Sequence, residues 1–170
     1  MAGFISFPNP VNETAARVVA GGVVTMAGTA ILADQPWLMV PLAYGFAARV
    51  ATGPRLSPLG QLATKVVEPR LPGSRRYSPG PPKRFAQAIG LAFSASALVL
   101  HYRLGRPRAA KTVLAGLLGA AALEAGLGVC LGCQVFALAM RAGLVPEEVC
   151  RDCHDIWSRT GSVPPVPAAV

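Results

Sequence analysis

Four stretches of the chain stay apolar long enough to predict membrane-crossing helices, at about 15–33, 36–52, 85–101 and 112–131. A hydrocarbon core of about 30 Å takes roughly 20 helical residues. The first stretch carries only Arg17 as a charge, and the third carries none between Phe85 and Leu100. The second is broken by Pro41 and closes on Arg49, so flanking basic side chains must reach back to the interface. Polar punctuation separates the stretches. Asn12 or Thr14 is placed to cap the first helix, Asp34, Gln35 and Pro36 form a turn, Trp37 suits the interface, and HYRLGRPR ends the third stretch. Between the second and third, Ser57 and Pro58 read as a cap and first turn, and Leu59, Leu62, Val66 and Val67 share one helical face before Pro69. That pattern predicts a short helix lying along the membrane surface. The segments at 1–13 and PGSRRYSPGPPKR read as extended chain, and 158–170 has the composition of a disordered tail.

The expected fold class is therefore all-α. It is an integral membrane four-helix bundle with a short interfacial helix and a cysteine-rich C-terminal segment at 130–157, all within one domain at 1–157. Composition agrees: 52% of the 170 residues are hydrophobic and only eight are acidic. The N-terminus lacks the basic start and apolar core of a removable signal, so the first helix is expected to be retained. The net charge of +8 lies in loops beside apolar helices. It therefore points to anionic lipid headgroups and to topology, and away from nucleic acid. Cytoplasmic termini put twelve of the sixteen basic residues inside. On that reading the protein sits in a bacterial inner membrane and the cysteines lie at its cytoplasmic face.

All four cysteines fall in two CxxC pairs, Cys130 with Cys133 and Cys150 with Cys153. Three chemistries use that spacing. Two dithiols side by side pass electrons, or persulfide sulfur, by exchange through a mixed disulfide. Gly126, Gly128 and Gly132 loosen the chain there, and a new helical start would turn backbone N–H groups toward Cys130 and favour its thiolate. Pro146 likewise suits the first turn of a helix carrying Cys150 and Cys153. Alternatively, four thiolates make a structural zinc site, Cys130, Cys133, Cys150 and Cys153 being the ligands of a module that recruits a partner. Third, CRDCH, ending at His154, is the pattern of covalent haem attachment. Glu124, inside the fourth stretch, is the one intramembrane acid. It reads either as a proton acceptor for thiol chemistry or as a helix-to-helix hydrogen bond, with Thr25, Thr29 and Ser94 as partners. Gly116 and Ala120 offer a close helix contact face.

The motifs FPNPVNE, GPPKRFAQAIG, CLGC and PEEVCRDCHDIW, in that order, resemble a family of small bacterial, notably actinobacterial, membrane proteins called domain of unknown function 4395. The resemblance runs from Phe7 to Trp157. It implies a multi-span inner-membrane protein and carries the family's cysteine pairs onto Cys130 and Cys133 and onto Cys150 and Cys153. In that family histidine is not the usual residue at the position of His154, which counts against haem. Relatives are often encoded beside thioredoxin-like or sulfurtransferase proteins, which implies a partner of that kind.

Overall fold

A computed structural model describes residues 10–70, 77–146 and 149–150. Its body is helical. Helix α1 spans Glu13–Leu32, α2 Met39–Thr52, α4 Gly80–Leu98, α5 Pro107–Leu127 and α6 Leu131–Arg141, and a short α3, Pro58–Gln61, lies between α2 and α4. The N-terminal strand β1, Val11–Asn12, pairs antiparallel with β2, Tyr77–Ser78, which fastens the starts of α1 and α4 to one another.

Among the described residues, three helical segments are long and apolar enough to cross a membrane: Glu13–Leu32, Gly80–Arg103 and Pro107–Leu127. The second of the four expected crossings is absent from this set. Helix α2 has 14 residues because Pro36 and Trp37 are taken up in a 3-10 turn, Pro36–Leu38, and Gly53 ends the helix. The other boundaries move for a single reason. Proline lacks an N–H, and the first turn of a helix has no intrahelical use for one. Pro81 and Pro82 therefore open α4 at Gly80, well before Phe85, and Pro107 opens α5 before Thr112. Helix α5 correspondingly ends at Leu127, short of the cysteines.

Asn12 is the cap of α1, its Oδ1 accepting from the N–H of Thr14 at 2.8 Å and of Ala15 at 3.4 Å. Ser57 caps α3 in the same way, accepting from Gly60 N–H at 3.2 Å with Pro58 following it. Beyond α3 the chain continues in wider turns over Leu62–Val67 and a 3-10 turn, Glu68–Arg70, so Pro69 is carried within the helical path instead of stopping it. This segment docks on α1. Ala63 is fully buried with Ala15 and Val19, and Leu59 covers Gly22.

The main core gathers Val23, Ala27, Met39, Leu42, Phe46, Ala97, Leu114 and Leu117 from α1, α2, α4 and α5. Helices α1 and α5 run antiparallel, pinned at one end by Arg17 on the last carbonyls of α5 and at the other by Lys111 on Asp34 at 2.8 Å. That ammonium holds the exposed Asp34 carboxyl below its usual range, chiefly by hydrogen bonding.

Close approach of α2 and α4 depends on Gly90. A Cβ there would lie 2.2 Å from the Phe46 ring. Gly90→Ala is expected to lower stability by about 1–3 kcal/mol, whereas Gly28→Ala, which meets open space, should leave it unchanged or slightly raised. Thermal melts of the purified protein in detergent compare the two.

Candidate functional site

Helix α5 stops where its backbone turns left-handed at Gly128, with φ of 71°, a conformation glycine adopts without strain. Its last-turn carbonyls lack helical partners. Arg17 supplies them, Nε donating to Ala125 O at 3.2 Å and Nη2 to Gly126 O at 2.7 Å. Three residues after Gly128 α6 begins at Leu131, with Cys130 as the residue just before its first turn. The carbonyl of Cys130 accepts from Cys133 and Gln134 N–H at 3.1 and 3.2 Å, which folds Cys133 back over Cys130. Gly132 lets α6 come this close to α4, for a Cβ there would lie 2.5 Å from the Ala86 methyl.

The outcome is a pair of free thiols with their sulfurs 2.7 Å apart, Cys133 Sγ–H donating to Cys130 Sγ. A disulfide is about 2.05 Å long, so closure needs only a small movement. That hydrogen bond is the main force drawing the Cys130 thiol below its ordinary pKa. Lys83 adds to it, while burial and Glu124 oppose it. The Cys133 thiol is driven far upward, first by the hydrogen bond it donates and then by burial. The pair is thus polarised, Cys130 being the more acidic of the two thiols and Cys133 the less.

Against this pair lies a buried ion pair. Lys83 Nζ, on the first turn of α4, meets Glu124 Oε1, on the last turn of α5, at 2.6 Å with side chains 9% and 15% exposed. Glu124 does not bond Thr25, Thr29 or Ser94. Each of those hydroxyls donates to a carbonyl of its own helix, four residues back. A second buried base stands nearby. Arg49 is only 5% exposed, its guanidinium held among protein groups. Its Nε donates to Gln87 Oε1 at 2.7 Å, its Nη1 to Ser57 Oγ at 3.1 Å, and its guanidinium lies 4.5 Å from the centre of the Phe46 ring. Lys83, Arg49 and Gln87 are the residues sequence reasoning missed. The available signal was the buried acid itself, since a carboxylate at Glu124 demands a cation within reach.

Residues 11–141 match the family described as Domain of unknown function (DUF4395). The chain belongs to this family. The matched stretch takes in Cys130, Cys133, Glu124 and Lys83 and stops short of the second CxxC pair, so the likeness is narrower than the span from Phe7 to Trp157. No curated protein and no solved structure matches the chain.

For this DUF4395 protein the second pair is only half in view. Cys150 is disulfide-bonded and packs with Phe136, Met140 and Val145. Phe136 and Met140 follow Cys133 by three and seven residues, which puts Cys150 along the same face of α6, one to two turns from the first pair. Cys153, His154 and most of the expected Pro146 helix lie outside the described residues. Among the described residues no group of three or more His, Cys, Asp or Glu is placed to hold a metal ion.

Two expectations follow. Lys83→Met leaves Glu124 buried without its cation and should lower stability by roughly 3–5 kcal/mol, while Lys83→Met combined with Glu124→Leu should recover most of that loss. Melts in detergent measure both. The rate of Cys130 alkylation should rise with pH about a midpoint below that of an ordinary thiol, roughly 8.5, and Cys133→Ala should move the midpoint upward by removing the hydrogen bond to the thiolate.

Proposed function

We propose that this protein is a membrane thiol–disulfide relay, with Cys130 as the exchanging thiol and Cys133 as the resolving one. The observation that carries the reading is the polarised dithiol, 2.7 Å between sulfurs, held at a helix start beside a buried ion pair. Lone structural cysteines have no use for that arrangement. They pack as small hydrophobes and need neither a paired sulfur nor a neighbouring cation.

The step balances with a disulfide-bearing partner of thioredoxin-like type. The Cys130 thiolate attacks one partner sulfur, forming a mixed disulfide and releasing the partner's other sulfur as a thiolate. Cys133 yields its proton to Glu124 and attacks Cys130 Sγ, closing the Cys130–Cys133 bond and freeing the second partner sulfur. The partner gains two electrons and the pair loses two. Run backward, the same steps oxidise the partner. Cys150 and Cys153 stand as the second stage of the relay, Cys150 packing against Phe136 and Met140 of α6.

In this reading α2 and the turn before it, residues 36–52, form the fourth crossing. Seventeen residues reach about 25 Å, and Arg17 and Arg84 flank that end of the bundle. The exchanging face then lies on the cytoplasmic side with the basic loop, at the inner membrane.

Trapping tests the assignment. Full-length protein carrying Cys133→Ser, mixed with an oxidised thioredoxin, should accumulate a mixed disulfide at Cys130, identified by intact mass. Cys130→Ser should form none. Equal trapping by both variants, or by neither, contradicts the assignment.

A further inference from the structure

A cavity of about 290 Å³ opens between α1, α2, α4, α5 and α6, directly beside the dithiol. Cys130 and Glu124 line one end. Most of the remaining wall is apolar, with Val23, Phe46, Phe93 and Leu117 among its residues. Phe93 is 38% exposed and lies within the apolar segment Gly80–Arg103, so one edge of the cavity reaches the surface of a helix long and apolar enough to cross a membrane.

One polar group in this wall is unused. Arg49 also lines the cavity, and its Nη2 is buried with no hydrogen-bond partner among the described residues, although Nε and Nη1 are both engaged. A buried donor left unsatisfied is unfavourable by about 1–3 kcal/mol, more when charged. Gln87 and Ser57 fix the guanidinium fork, so the free N–H groups have a set direction. The ligand this wall suits is apolar, ring-sized, and furnished with an acceptor oxygen. A cavity of roughly 150 Å³ holds a benzene ring, so 290 Å³ takes a ring with substituents. A small inorganic anion would answer Arg49 and leave the apolar remainder empty.

We propose that this cavity binds a quinone, one carbonyl oxygen accepting from Arg49 Nη2 and the ring lying among Phe46, Phe93 and Leu117. The inference rests on the dithiol reading above and gives it a direction. Cys130 and Cys133 lose two electrons and two protons and close their disulfide. The quinone gains both and leaves as the quinol, and no further reactant is needed. The disulfide then oxidises the thiols of the relay's partner.

Duroquinone is a suitable probe, because its four methyl groups leave no ring carbon open to thiol addition. Two measurements keep the two readings apart. In equilibrium dialysis against nanodiscs, the full chain with Cys130→Ala and Cys133→Ala should bind duroquinone above the empty-disc level. Adding Arg49→Met should weaken that binding at least ten-fold, and Ala120→Phe, which fills the cavity without touching Arg49, should abolish it. In stopped-flow absorbance, reduced wild-type protein should yield one quinol per Cys130–Cys133 disulfide, while Arg49→Met slows that step. Thioredoxin exchange without duroquinone binding overturns the quinone site and spares the relay. Binding with no thiol oxidation overturns the relay as the use of this site. Displacement of duroquinone by millimolar sulfate reassigns Arg49 to an anion and overturns the proposal.

Discussion

The ion pair between Lys83 and Glu124 is the interaction on which the rest of this structure depends. It joins the first turn of one long apolar helix to the last turn of another, in surroundings where neither charge could be left alone. Because both ends are fixed there, the chain leaving α5 must turn within a few residues, and Gly128 allows it to do so. The reversal sets Cys130 at the head of α6 and folds Cys133 onto it. The cation that neutralises Glu124 is also the one that favours a thiolate at Cys130. One contact therefore serves helix packing, chain reversal and sulfur chemistry together.

The same end of the molecule concentrates nearly every unusual polar contact. Arg17 on the carbonyls of α5, Arg49 on Gln87 and Ser57, and Lys83 on Glu124 lie at the starts of α1 and α4 and the ends of α2 and α5. In lipid such groups are retained when they face protein or a water-filled or ligand-filled space. Arg49 and Glu124 line one cavity and Lys83 neutralises Glu124, so an otherwise apolar helical body keeps two bases and an acid in its interior, and small residues such as Gly116, Ala120 and Gly132 line the gap between the helices.

Much of this was readable in the residues. The apolar runs marked α1, α4 and α5, Asn12 and Ser57 were recognisable caps, and CLGC after a glycine-rich stretch announced a helix start at Cys130. Glu124 stood out because carboxylates inside apolar helices are rare. Its partner was hidden for a specific reason. Pro81 and Pro82 make PGPPKR look like a connector, yet both prolines fit the first turn of α4, which carries Lys83 from the supposed loop into the interior. Arg49 was hidden similarly, since a base closing an apolar run reads as a headgroup anchor until tertiary packing shows Gln87 and Ser57 on its guanidinium. The shortness of α2 follows from the 3-10 turn at Pro36, a detail of turn chemistry that hydropathy does not register.

The central claim is that Cys130 and Cys133 form one reversible two-electron couple. It is tested most directly by equilibrating the full-length protein in buffers of graded reduced-to-oxidised dithiothreitol ratio and mapping its disulfides by mass spectrometry after acid quenching. The account predicts that the Cys130–Cys133 linkage appears and disappears in a single two-electron transition, with the protein folded and of unchanged mass assembly throughout. A pair that stays reduced across the whole range, or that oxidises only into intermolecular dimers, would contradict it.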